Sequence, residues 1–276
     1  MQQTKTISHS TPVVVFYISG HGFGHASRQI EIIRQLKRLR NDVHVVIKTP
    51  TPQWFFDIAN LGEYSFETLN TDTGVVQTDS LHVDVIESIK QCDAFHQSLH
   101  QRATSEASTL KGLNARLIVG DIPPLAFLVG IMTAIPTVAI SNFTWDWIYD
   151  NYTQTNLSAP RLVETLRHAY ATATMALRFP LHAGFDACPH IVDVPLVARR
   201  STKDPRKLRD YFGLPHDSPV VLFSFGRYGV SNIDWDCVRK TSNYHFVFTS
   251  GDQLNLVPNG PMFTTLDEAA LARNDL

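Results

Sequence analysis

Two histidines set among three glycines are the residues of this chain whose types and spacing most directly suggest chemistry. Residues 18–36 read ISGHGFGHASRQIEIIRQL, with Gly20, Gly22 and Gly24 alternating around His21 and leading to His25. A phosphate cradle, a metal centre or a general base could each use such a pattern. A dinucleotide cradle needs GxGxxG and an acidic residue at the next strand end to hold the ribose. Here the spacing is GxGxG and that strand end offers Lys48, so no nicotinamide or flavin cofactor is expected. The triphosphate-binding loop fails too, because no Gly-Lys-Ser or Gly-Lys-Thr follows. His21 and His25 are four apart, but the intervening glycines work against a regular helical pair, and no third ligand of HExxH type accompanies them. A metal is therefore not expected.

Proton abstraction remains, beside the plainer alternative of a glycine turn whose histidines only bond the backbone. A histidine at the start of a helix, on the ligand side of a sheet, faces a crevice. The positive end of the helix dipole there disfavours imidazolium, which leaves the ring able to act as a base. His25 is the candidate general base, with glycines beside it that let a substrate approach the backbone. A carboxylate on its other ring nitrogen would fix the tautomer and stabilise the cation. Asp121 is the candidate for that task, ahead of Asp146. Standing before Ile-Pro-Pro, Asp121 could equally cap a turn or a helix.

These residues need elements to bring them together. Residues 13–19 (VVVFYIS) form an apolar run of strand length, and Ile30, Ile33, Leu36 and Leu39 share one helical face behind it. Strands are expected at 43–48, 64–69, 116–120, 137–141, 175–179 and 191–194. Helices are expected at 51–59, 125–134 and 160–172, with one long helix or two over 83–110. Repeated strand–helix–strand order implies a parallel sheet with helices on both faces. In such sheets ligands collect at the carboxyl ends of the strands. The loop 20–25, Asp121 and the pair Ser141-Asn142 all fall there. Residues 198–219 read as a polar linker with a short helix. At Val220 the strand-then-glycine design restarts with VVLFSFGRYG, followed by a helix at 233–239 and a strand at 244–249.

Composition bounds the rest. With 43% apolar and 18% charged residues among 276, the chain can bury one large core or two modest ones. A formal net charge of −2 gives no electrostatic ground for nucleic acid, and the basic run from Arg199 to Arg209 reads as a solvated face. Cys92, Cys188 and Cys237 are scattered without a CxxC pair, the pattern of reduced thiols in a cytoplasmic protein. The N-terminus lacks the apolar stretch of a secretory signal. The apolar passage 117–140 is cut by Asp121, Pro123, Pro124 and Pro136 into pieces too short to span a membrane.

The segments GHGFGHASR, DIPPLAF and SNFTWDWIY together resemble the glycosyltransferase-like region of proteins related to the N-terminal part of L-arabinokinase. More distantly they resemble GT-B glycosyltransferases, including glycosyltransferase family 28. The resemblance implies an α/β, GT-B-like fold: a Rossmann-like acceptor-side domain at 12–197, a linker at 198–219 and a partial donor-side domain at 220–276. It implies transfer of a sugar from a nucleotide sugar, such as a UDP-sugar, to a hydroxyl acceptor without a catalytic metal. His25 falls where related inverting enzymes carry their base. Gly22, Gly24, Ser27 and Arg28 of the same motif are expected substrate contacts. Gly226 and Arg227 fall where a loop approaches the donor diphosphate, a task that backbone N–H groups and a guanidinium suit. Asn142, Trp145 and Asp146 could line a sugar cleft, although Trp145 and Trp147 could instead cover the core edge. The aromatics of 141–152 and the basic run would suit a lipid-linked acceptor at a membrane surface, and each also has an ordinary structural explanation.

One departure counts against activity. GT-B proteins bind the nucleotide mostly through a later glycine loop and an acidic residue, and this sequence reads LDEAALARNDL where it stops, before such a segment. The alternatives are a truncated product, a partner chain that completes the second domain, or a non-catalytic sugar-binding or regulatory module. A subunit working beside a sugar kinase is a further alternative, with no kinase phosphate loop in this chain.

Overall fold

The computed structural model describes residues 11–154, 159–225, 229–230, 232–241, 243–249, 257 and 260–266. The chain divides into two compact units, Met1–Val76 with Val85–Ala198, and Gln77–Asp84 with Arg199–Leu276. The sequence did not signal this discontinuity, since 77–84 sits inside what reads as one domain.

The first unit is built on strands β1 (Val13–Ile18), β2 (His44–Thr49), β3 (Ser65–Thr68), β6 (Ala115–Asp121), β7 (Thr137–Phe143), β8 (Met175–Ala183) and β9 (Ile191–Asp193). They form one sheet in the order β3-β2-β1-β6-β7-β8-β9, and every pairing in it is parallel. The helices are α1 (Phe23–Leu39), α2 (Trp54–Asp57), α3 (Val85–Gln97), α4 (Leu99–Leu110), α5 (Pro124–Thr133), α6 (Trp145–Asp150) and α7 (Ala159–Ala171). Of the two alternatives for 83–110, one long helix or two, the chain forms two.

Alternation along β1 shows why both faces are covered. Val14, Phe16 and Ile18 pack with Ala26, Ile30 and Ile33 of α1. Val13, Val15 and Tyr17 point the other way, onto Phe95 of α3, Leu99, Ala103 and Leu110 of α4, and Leu125, Ala126 and Val129 of α5. A strand buried on both faces must be apolar throughout, which is what VVVFYI is. The chain runs outward from β1 through β2 to β3, then returns to place β6 against the opposite edge of β1. The carboxyl ends of β1 and β6 therefore meet at the point where strand order reverses, with Ile18 in register with Asp121.

The second unit holds a parallel sheet β10-β11-β12 (Val220–Ser224, His245–Thr249, Phe263–Leu266) with helices α8 (Pro205–Phe212) and α9 (Trp235–Lys240). α8 shows why the basic run is helical at all. Asp204 caps the backbone N–H groups of Arg206 and Lys207, Pro205 opens the first turn and Gly213 closes the helix in the left-handed region. The helix buries none of its residues, in keeping with a solvated face. The ribbon β4–β5 (Val76–Asp79, His82–Asp84) completes this unit. At its tip Ser80 donates from Oγ to Phe225 O at 2.8 Å and from its backbone N–H to Gly229 O at 3.0 Å. Gly226 and Arg227, between those two, lie outside the described residues.

Beneath the first sheet lies a buried ion pair. Lys48, only 1% exposed, donates to Glu106 Oε2 at 2.8 Å and to Glu67 Oε2 at 2.7 Å. Tyr17 donates its hydroxyl to the same Glu106 oxygen at 2.7 Å, and burial followed by the Glu106 charge pushes the phenol well up. Lys48 therefore points at α4 rather than at the ligand edge of the sheet. Breaking such a pair from one side leaves an uncompensated buried charge, whereas replacing both partners by apolar groups costs much less. Lys48→Met leaves the buried Glu106 carboxylate with the neutral Tyr17 hydroxyl in place of a cation, and is expected to destabilise the first unit by about 3–5 kcal/mol. The double variant Lys48→Met, Glu106→Leu should recover most of that loss, as read from denaturant-dependent amide exchange in β1 and β2.

Candidate functional site

α1 opens without a side-chain cap, on Gly22 at φ 72°, a left-handed conformation that favours glycine. Three residues later the first turn carries His25, and the next turn carries Arg28 and Gln29. These positions, i, i+3 and i+4, lie on one helical face, and all three side chains reach the same carboxylate. His25 Nδ1 is 2.8 Å from Asp121 Oδ1. Arg28 Nη2 lies 3.1 Å from Oδ1 and 3.3 Å from Oδ2. Gln29 Nε2 donates to Oδ2 at 2.7 Å. The Asp121 backbone carbonyl accepts from Ser19 N at 2.8 Å, which closes the ends of β1 and β6.

Asp121 is fully buried. Burial alone would raise its carboxyl, but the charges of His25 and Arg28 and the bonds from His25 and Gln29 outweigh that and hold it below the usual carboxylate range. An ionised carboxylate only accepts hydrogen bonds, so the proton of the 2.8 Å contact sits on His25 Nδ1. Nε2 then carries the lone pair, and no described residue bonds it. The Arg28 Nη2 group lies 3.1 Å from Nδ1. Both are donors in this tautomer, so the two groups share Asp121 rather than bond each other.

The expected substrate contacts lie as follows around this carboxylate. Arg28 and Asn142 bond one another, Nη1 donating to Oδ1 at 2.7 Å, and Arg28 also reaches Ser141 Oγ at 3.3 Å. A guanidinium bound to Asp121, Ser141 and Asn142 ties α1 to β6 and β7, which is an internal task. Ser27 is half-buried and falls outside the row 25, 28, 29, so it does not reach Asp121. Gly22 and Gly24 are exposed, with nothing within 4 Å of an added Cβ, so open space lies over the helix start.

Asn142 lies at the end of β7, and Trp145, Asp146 and Trp147 lie on α6, which follows after one residue. Trp145 is 3% exposed and Trp147 is 43% exposed. Trp145 donates its indole N–H to Asp72 Oδ2 at 2.9 Å, so that donor is not free for a sugar. The indole walls the site: its ring centroid lies 6.3 Å from His25, 5.5 Å from His21 and 5.1 Å from Phe143. Asp146 is buried and points elsewhere, 3.6 Å from Arg167 Nε, with its Oδ1 unpaired. It bonds neither His25 nor Asp121.

Two residues escaped notice in the sequence. Gln29 is four positions after His25, so helical spacing alone could have found it. Asp72 sits in a polar loop after β3, at the same sheet edge as the other segments, and that edge was the available signal. Its Oδ1 accepts from Ser19 Oγ at 3.0 Å. Burial raises the Asp72 carboxyl, and the bonds from Ser19 and Trp145 and the His25 charge only partly offset this. His21 is pushed down to about 4, first by burial and then by His25, so it is neutral wherever His25 would work as a base. Its ring lies on Gly74, where an added Cβ would come within 2.7 Å of His21 Cγ at a φ of +60°.

Among the described residues no three His, Cys, Asp or Glu side chains group to hold a metal ion, and no helix is long and apolar enough to cross a membrane. The described cysteines are all unpaired.

Comparison with known proteins places the fold. No family model matches the chain. L-arabinokinase of Arabidopsis thaliana is 30% identical over 230 residues, which is 82% of this chain but only 22% of that protein's length. The chain thus spans about a fifth of that relative. Among solved structures, the glycotransferase of kitacinnamycin aligns with a TM-score of 0.59 at 14% identity, over 93% of this chain and 70% of that one. UGT89C1 of Arabidopsis thaliana, complexed with quercetin, aligns with a TM-score of 0.56 at 13% identity, over 93% and 69%. A candidate UDP-N-acetylglucosamine 2-epimerase of Listeria monocytogenes aligns with a TM-score of 0.53 at 7% identity, over 94% and 69%. The chain thus shares the fold of GT-B glycosyltransferases and is similar in sequence to a part of L-arabinokinase.

Proposed function

We propose that the chain transfers a sugar from a nucleotide-sugar donor of the UDP type to a hydroxyl acceptor, with His25 as general base. The observation that carries this reading is the 2.8 Å contact between His25 Nδ1 and the buried Asp121 carboxylate at the strand-order reversal. It leaves Nε2 to accept the acceptor's hydroxyl proton while Asp121 stabilises the imidazolium that forms. The deprotonated oxygen then attacks the anomeric carbon, and the bond from that carbon to the nucleotide diphosphate breaks. The open space over Gly22 and Gly24 is where an acceptor would approach. By resemblance alone, Gly226 and Arg227 are the residues proposed to bind a donor diphosphate.

Support for the donor class comes from the shared fold: UGT89C1 has been solved with UDP and with UDP-L-rhamnose. The epimerase-like neighbour shows that the fold alone does not choose the reaction. The choice rests on the histidine–carboxylate pair.

Calorimetry with UDP and a panel of UDP-sugars tests donor binding. No binding at millimolar or tighter affinity would remove the transferase reading for this chain and leave a non-catalytic module. Where a donor is bound and turned over, His25→Ala is expected to lower kcat by about 100-fold or more, the usual share of a general base, with donor affinity nearly unchanged. Equal turnover would reject His25 as the base.

Asp121 gives a second outcome, in stability against pH. Its folded-state carboxyl titrates below the unfolded value of about 4, so ionised Asp121 stabilises the protein above that pH. This contribution is lost as pH falls through the folded-state value. Thermal unfolding should place Asp121→Asn below wild type at neutral pH, and the gap should close on acidification below about pH 4. A gap independent of pH would show that the ionised carboxylate is not what the donors hold.

A further inference from the structure

We propose that Asp72, a residue outside the His25–Asp121 pair, is a positioning residue that latches Trp145 against the candidate base. The inference deepens the sugar-transfer reading and rests on it for its kinetic arm only.

Asp72 is a fixed anchor because the loop around it is tied on both sides. Leu69 N donates to Thr49 O at 3.1 Å, and Thr71 Oγ1 donates to Ile18 O at 2.9 Å. Beyond Asp72, Gly74 O accepts from the Tyr149 hydroxyl at 2.6 Å. The loop is thereby fastened to β2, β1 and α6. Its carboxylate, in turn, receives one donor from each of two strand ends: Ser19 after β1 and Trp145 after β7. Ser19 Oγ accepts from His21 N at 3.2 Å, so the same chain of bonds reaches the backbone of His21 in the glycine turn.

Trp145 needs this latch. Its indole faces His25, His21 and Phe143, but it also borders a narrow cavity shared with Cys92, His96, Tyr149 and Leu166. That cavity has room for about one water, and the bond to Asp72 fixes the edge of the ring that carries Nε1. Since the indole backs His25, its position governs how the imidazole meets a bound acceptor.

A carboxamide in place of Asp72 can keep both contacts, its oxygen accepting from Trp145 and its NH2 group donating to Ser19. A methyl group can keep neither. In the full chain, the indole 1H–15N resonance of Trp145, identified by its loss in Trp145→Phe, should move upfield in Asp72→Ala and stay near its place in Asp72→Asn. With UDP-glucose as donor, Asp72→Ala should lower kcat about tenfold or more while KM stays within about threefold, because a misplaced group costs rate rather than binding. Asp72→Asn should remain within about threefold of wild type in both. Should Asp72→Ala fail to fold, Trp145→Phe removes the same bond from the other partner and should show the same kcat loss. An unmoved resonance in Asp72→Ala would overturn the proposal. So would wild-type kcat in that variant or in Trp145→Phe, or an Asp72→Asn as impaired as the alanine variant. If wild type releases no UDP from UDP-glucose, that failure belongs to the transferase reading, and the resonance alone decides the latch.

Discussion

A carboxylate shut off from water must find its compensation inside the protein, and Asp121 finds it on one helical face. His25, Arg28 and Gln29 of α1 all reach it. Removing one of these donors, or the carboxylate itself, would leave buried polar groups whose desolvation is no longer offset. This requirement fixes more than the local contacts. It sets the rotation of α1 about its axis, holds β6 against β1 at the strand-order reversal, and decides which nitrogen of His25 carries a proton. Arg28 extends the arrangement to β7 through Ser141 and Asn142. The site is an outcome of how the first sheet is closed.

Two buried carboxyls near one imidazole behave in opposite ways, and the difference lies in their donors. Asp121 faces a guanidinium, an imidazole and an amide, so its charged form is favoured despite burial. Asp72 has a hydroxyl and an indole N–H, both neutral, so burial prevails and its carboxyl is raised. Roles divide accordingly. Asp121 can stabilise a proton arriving on His25, whereas Asp72 arranges the aromatic wall behind it.

Much of this was legible in the sequence where geometry follows from periodicity. A strand, a glycine turn and a helix bearing His25 could be read directly, and Asp121 could be paired with it because both fall at strand ends of a parallel sheet. Side-chain direction was harder. Arg28 and Asn142 look like polar groups waiting for a ligand, and only the fold shows that they meet each other. Trp145 and Trp147 are indistinguishable by composition, yet a two-residue step on α6 buries one and exposes the other. Gln29 was missed although helical spacing pointed to it. The joining of 77–84 to the second unit depends on long-range contacts that no local pattern records. Gly226 and Arg227, assigned by resemblance, lie outside the described residues.

The fold is shared with a protein solved with UDP and with UDP-L-rhamnose, while the chemistry proposed for this chain depends on one proton. The most direct measurement is the tautomer of His25, read by long-range 1H–15N correlation of the imidazole nitrogens at about pH 8.5, well above the ordinary imidazole range. The account predicts a proton on Nδ1, held by Asp121, and a lone pair on Nε2. A proton on Nε2 would contradict it, because His25 would then present a donor where the proposed reaction needs a base.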